Sequence, residues 1–126
     1  MLTMTGCCVS TSFILNNNTL GDIVVISCHT KISKIIKKNS CGEIYHTDGC
    51  IKIITSNKIE WYYNNISIPD IKDKQFRKNI YRIYCNKLLI YLNIDKNGEI
   101  CMLPIKNIKI GCPLKQPSGY PLKPNQ

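Results

Sequence analysis

"NKLLIYLNIDKNGEIC", residues 86–101, decides the fold. Leu88, Ile90, Leu92 and Ile94 recur at every second position, with Lys87, Tyr91 and Asn93 falling between them on the other parity. Successive side chains of a strand leave the backbone on opposite sides, so this alternation predicts a strand with its leucine and isoleucine face in a core. "DKNG", 95–98, supplies turn residues, and the chain then returns on a neighbouring strand to Cys101.

Working outward, 126 residues suit one domain with a single core. The chain contains no alanine, the best helix former, and is rich in isoleucine and tyrosine, which favour strands. Short apolar segments separated by turn residues follow one another: "GDIVVIS" at 21–27, "KISKIIKK" at 31–38, a strand to about Ile54, a turn at Ser56 and Asn57, and a strand through Trp61. The stretch 68–78 carries Pro69 and several charges and reads as an exposed connection. Residues 79–94 are strand again, and 99–112 give two short strands split near Pro104. About seven strands at this spacing predict an all-β, immunoglobulin-like β-sandwich with disulfides. The expected layout is a flexible N-terminal segment or atypical signal at 1–20, the domain at 21–112, and a proline-rich extended tail at 113–126.

Seventeen basic residues against eight acidic ones give a formal charge of +9. That excess is either the lysine bias of an A+T-rich genome, such as a virus or parasite carries, spread over a solvated surface, or an attraction to acidic partners. Eight cysteines in a chain this short point to an oxidising, extracellular compartment. Asn17 and Asn65 head N-x-[ST] acceptors for glycosylation, which agrees with secretion. "MLTMTGCCVSTSFIL" lacks the positive start of a signal peptide, and no run of apolar residues is long enough to span a membrane.

Eight cysteines allow about a hundred pairings, so spacing has to choose among them. Cys50, Trp61 and Cys101 follow one another at the separations of the immunoglobulin signature, an inter-sheet disulfide packed on a buried indole. Cys50–Cys101 is therefore the expected core bridge, and the sandwich is expected to depend on it. The tyrosine usual two residues before the second cysteine is Glu99 here, and Lys52 shares the face of Cys50, which calls for a bulge. Cys28 with Cys85 is the expected peripheral bridge, and Cys41 with Cys112 a further candidate at the sandwich edge. The vicinal Cys7 and Cys8 suit a disulfide-linked homodimer.

With these cysteines placed, the sequence resembles the interleukin-18-binding proteins, secreted single immunoglobulin-like domains of vertebrates and poxviruses. The likeness rests on "GEIYHTDGCIKII" followed by "IEW", on "YCNKLLIYLNI", and on "NGEICMLPI", and covers about residues 28–105. It implies a decoy in host–virus immune evasion, binding interleukin-18 or an interleukin-1-class cytokine and occluding its receptor-binding face, without catalysis. Family members present an aromatic anchor and then an acid after the tryptophan. In "WYYNNISIPDI" the anchor position falls at Ser67, with Ile66 and Ile68 as substitutes beside it and Asp70 as the acid. Tyr62 and Tyr63 are further cytokine-contact candidates, although alternation sends one of them to the core.

The alternative reading is a basic secreted domain that holds glycosaminoglycan or another polyanion. His29 and His46 read as ordinary surface residues. Cys41, His46 and Cys50 have loose zinc-knuckle spacing but lack a fourth ligand nearby. No phosphate loop, paired-carboxylate motif or serine elbow occurs, so the expectation is a non-enzyme with no cofactor and no metal.

Overall fold

The computed structural model describes residues 10–44, 49–64, 66, 81–83, 87–103, 112, 115–117 and 119–125, with backbone alone at 10, 11, 81–83 and 87–89. Among these residues the chain is all-β. Its strands are β1 (Ser10–Asn18), β2 (Ile23–Ser27), β3 (Ser33–Ile36), β4 (Cys41–Ile44), β5 (Ile51–Ile54), β6 (Glu60–Tyr63), β7 (Tyr81–Ile83), β8 (Lys87–Asp95) and β9 (Ile100–Met102). One sheet has the order β4-β1-β8-β7, with β9 also paired to β8, and the other has the order β3-β2-β5-β6. All pairings are antiparallel except β1 with β8.

The two sheets form a sandwich because each turns one parity inward. Ile90, Leu92, Ile94, Ile100 and Met102 of the first sheet meet Ile23, Val25, Ile51, Ile53 and Tyr63 of the second, all buried in one continuous core. Burial of each such aliphatic side chain stabilises the fold by about 1.5–3 kcal/mol. The turn after β8 forms where its residues predict: Gly98 N–H donates to Asp95 O, and the Asp95 carboxylate accepts from the N–H groups of Asn97 and Glu99. Gly98 takes a φ of +82°.

The expected core cross-tie does not exist. Cys50 is bonded to Cys28, and Cys101 to Cys112. In the antiparallel register Ser27 faces Ile51, so Cys28 and Cys50 are the next opposed pair, with Cα atoms 5.5 Å apart at the end of a single sheet. Cys101 lies between Ile100 and Met102, on the parity that leaves the core. It joins a second, smaller cluster with Tyr91 and Leu103 on the outer face of the first sheet. The sandwich therefore rests on its apolar core. Lys52 needs no bulge either, since Cys50 is not a core residue: Ile51 and Ile53 point inward and Lys52 outward. Trp61 still packs on the core, but beside Gly98 rather than a disulfide. Cys41 has lost its expected partner to Cys101 and carries a free, exposed thiol. The expected Cys28–Cys85 bridge is likewise replaced by Cys28–Cys50, which the antiparallel register brings together, and Cys7, Cys8 and Cys85 lie outside the described residues.

Both ends of the expected domain are also corrected. Ser10–Asn18, assigned to a loose N-terminal segment, is a central strand between β4 and β8, with Leu15 fully buried. Asparagine is a poor strand former, but Asn16–Asn18 are held by tertiary partners: the Asn18 amide donates to Asn93, and Asn17 sits in a buried network. The segment after Cys112 is extended but not a free tail. Leu122 and Ile100 exchange backbone hydrogen bonds of 2.7 and 2.8 Å, and Tyr120 and Leu122 are buried. The Gln116 side-chain amide brackets Met102, accepting from its N–H and donating to its carbonyl. Asn125 brackets Tyr62 on the second sheet, its backbone N–H donating to the Tyr62 carbonyl and its Oδ1 accepting from the Tyr62 N–H. The C-terminal segment thus stitches the two sheets together.

The Tyr63 hydroxyl adds a cross-sheet bond, donating to Gly98 O at 2.6 Å. Burial, and then the charge of Asp95, hold this phenol well above its ordinary value. The folded state therefore keeps a proton that the unfolded chain loses near pH 10, and stability is full below that pH and falls as pH rises above it. Tyr63→Phe is expected to cost about 1 kcal/mol at neutral pH and to flatten the alkaline fall. Urea midpoints of both forms between neutral pH and pH 11 check this, because the other tyrosines and the lysines cancel in the difference.

Candidate functional site

The second sheet presents an outer face whose composition departs from the usual polar covering of an antiparallel sheet. β2 carries apolar residues on both parities: Ile23 and Val25 go to the core, and Val24 and Ile26 go out. The register then aligns Ile35, Val24, Ile54 and Glu60 in one row across the four strands, and Ser33, Ile26, Lys52 and Tyr62 in the next. Ile35 is 67% exposed and Tyr62 43%, while Val24, Ile26 and Ile54 are half-buried. An apolar strip crosses the sheet.

One margin of the strip is a small polar group. Lys52 Nζ lies 3.5 Å from Glu60 Oε1 and 5.7 Å from the centroid of the Tyr62 ring, and the Tyr62 hydroxyl donates to the same Glu60 oxygen at 3.0 Å. Exposed pairs of this kind contribute at most about 1 kcal/mol to stability, but they fix the direction of the Tyr62 ring. The other margin is β3 and its flanks, where Lys31, Lys34, Lys37 and Lys38 are all exposed. Lysines on an edge strand oppose sheet-to-sheet aggregation and give this side a positive field. Such a face can dock a partner by apolar contact framed by charge.

Of the contact residues expected from sequence, Tyr62 lies on this face. Tyr63 and Ile66 do not, being 1% and 4% exposed members of the core. The correction of Tyr63 follows from parity, because it faces Ile51 across the β5–β6 ladder on its inward side, and Ile66, beyond β6, is drawn in by its N–H bond to Gly49 O. Ser67, Ile68, Asp70 and the acceptor Asn65 lie outside the described residues. Asn17 is excluded as a glycosylation site in the folded chain: it is fully buried, and its Nδ2 donates to Gly21 O and Ile36 O. Ile35, Val24, Ile26 and Ile54 were missed. The signal for Val24 and Ile26 was present in "DIVVIS", where an unbroken apolar run means that both faces of the strand are apolar.

Comparison with protein-family models, with curated proteins and with solved structures finds no match.

Proposed function

We propose that this chain is a secreted binding protein that docks another protein on the outer face of its four-stranded sheet. The observation that carries this reading is the outward-facing strip from Ile35 through the half-buried Val24 and Ile54, with Ile26 and Tyr62 beside it. A contiguous apolar patch on a sheet that already has a buried face marks an interaction surface. Two intramolecular disulfides support an oxidising compartment. The partner class comes from the resemblance to interleukin-18-binding proteins; the Cys50–Cys101 tie expected to support it is absent, which leaves the resemblance only the order of the cysteines and Trp61 along the chain. It is interleukin-18 or an interleukin-1-class cytokine, held so that its receptor-binding face is covered.

The test is biolayer interferometry of the immobilised, oxidised chain against those cytokines, alongside an Ile35→Asp/Tyr62→Ala variant. An anchor in a desolvated contact contributes about 2 kcal/mol, so the double variant is expected to raise Kd by about thirtyfold or more. Absence of binding to every cytokine rejects the partner class, and binding that ignores the two substitutions rejects the face.

The four exposed lysines of residues 31–38 favour a second reading, retention on a polyanion. Salt separates the two. Affinity carried by phosphate- or sulfate-like contacts falls steeply with ionic strength, whereas an apolar interface weakens only modestly between low and physiological salt.

A further inference from the structure

The β8–β9 turn carries the sole asparagine–glycine pair in the sequence, Asn97–Gly98. Asn97 is exposed and Gly98 behind it is buried. The turn requires this glycine on two counts. Its φ of +82° is one that side chains rarely adopt, and a Cβ there would lie 3.0 Å from two ring carbons of Trp61. No larger residue can follow Asn97 without rebuilding the turn and moving the indole. That constraint has a chemical consequence. With no Cβ to crowd the approach, the peptide nitrogen after an asparagine reaches the side-chain carbonyl carbon and closes a five-membered ring.

We propose that Asn97 is a site of spontaneous deamidation whose rate is set by opening of the β8–β9 turn. The Gly98 peptide nitrogen gives up its proton to solvent base and bonds to Asn97 Cγ. The Cγ–Nδ2 bond breaks, and Nδ2 takes up a proton and leaves as ammonia. Water then adds at one or the other carbonyl of the succinimide and opens it, to aspartate or to isoaspartate, whose main chain runs through the former side-chain carbon. The net change is water in and ammonia out, with nothing oxidised or reduced.

The folded turn holds the reacting nitrogen away from this course. Gly98 N–H donates to Asp95 O at 3.0 Å, and Gly98 O accepts from the Tyr63 hydroxyl at 2.6 Å, so the peptide groups on both sides of Gly98 are anchored. The Asp95 carboxylate also accepts from the N–H groups of Asn97 and Glu99. While these bonds stand, the nitrogen cannot swing onto Asn97 Cγ, and the reaction draws on molecules in which the turn has opened locally. The two products differ in effect. Aspartate keeps the backbone and adds a charge two residues from Asp95. Isoaspartate lengthens the main chain by one carbon just before Gly98, which displaces that residue from Trp61 and from the Tyr63 hydroxyl. The inference stands independently of the docking face.

The full oxidised chain is incubated at mildly alkaline pH, folded and in urea, and Asn97 is followed by peptide mass mapping, with chromatography separating aspartate from isoaspartate peptides. Asn97 is expected to react first among the asparagines in urea, and about tenfold more slowly, or slower still, in the folded chain. Tyr63→Phe, which releases Gly98 O, is expected to speed the folded reaction about fivefold and to leave the rate in urea unchanged. Ile36→Val removes core packing on β3, at the opposite edge of the second sheet from β6, and is expected to leave the folded rate near that of the parent. Asn97→Gln removes the signal, and an unchanged urea midpoint shows that it folds. The proposal is overturned by Asn97 staying intact in urea while other asparagines react, by equal rates in the folded and unfolded chains, or by equal acceleration in Ile36→Val and Tyr63→Phe.

Discussion

Asn17→Ala is expected to lower the unfolding free energy by about 3 kcal/mol or more, a large share of the roughly 5–15 kcal/mol that holds a domain together. The residue is fully buried at the end of β1, and every polar group it owns is used. Its backbone N–H donates to Ser40 O and its carbonyl accepts from Asn39 N–H. Its Nδ2 donates to Gly21 O and Ile36 O, each at 2.9 Å. Its Oδ1 accepts from Thr19 N–H at 3.0 Å and lies 2.6 Å from the Thr19 hydroxyl, whose single proton is shared between this oxygen and Gly21 O. Truncation leaves those partners facing a cavity, and each unmet buried group costs about 1–3 kcal/mol.

Asn17→Asp has the same shape but replaces two donors by a charge aimed at two carbonyls, so it is expected to be the more damaging near neutrality. Its folded-state pKa would be raised by burial, and the stability of this variant is then recovered in part as pH falls toward 4, where the protonated carboxyl donates again. Urea unfolding followed by Trp61 emission, with Asn17→Ala as the reference at each pH, measures both effects. A loss below about 1 kcal/mol for the alanine variant would show that the network does not hold the β1–β2 bend.

The second large effect concerns the disulfides. Peptide mapping of the unreduced chain is expected to yield Cys28 linked to Cys50 and Cys101 linked to Cys112, and no peptide joining Cys50 to Cys101. Sequence separations of 22 and 11 residues correspond to about 3 kcal/mol each in the chain-entropy account. Replacing Cys28 and Cys50 together by serine tests the first bridge, and the Cys101/Cys112 pair tests the second. The latter is expected to cost somewhat more than loop entropy alone, because Cys101 is fully buried beside Tyr91 and Leu103 and serine would place an unpaired hydroxyl there. Removing both bridges is expected to take most of the stability. A double-bridge variant that unfolds at the same urea concentration as the parent would show that the core alone suffices.

The reading of residues 86–101 succeeded because its information is local. Ile90, Leu92 and Ile94 alternate, and a strand's pleat converts that spacing directly into one buried face. The turn at 95–98 is equally local, its carboxylate and glycine acting within five residues. The candidate site was legible only in part. Tyr62 was among the contact residues expected from sequence, but Tyr63 beside it is core, and the apolar strip emerges only when β3, β2, β5 and β6 are laid side by side. Ile35 in "SKII" looks like any β-branched residue until its neighbours across the sheet are known to be Val24 and Ile54.

From sequence alone came the all-β class, the inward parity of the principal strands, the hairpin turns and the crowding of cysteines, since each depends on residues near one another in the chain. Tertiary structure alone decided which cysteines meet, that Ser10–Asn18 is a central strand, and that residues 115–117 and 119–125 close the sandwich. Those outcomes depend on register between segments far apart in sequence. Cys28 faces Cys50 because Ser27 faces Ile51, and the asparagine-rich end of β1 is a strand because Gly21, Ile36 and Asn93 are there to bond it.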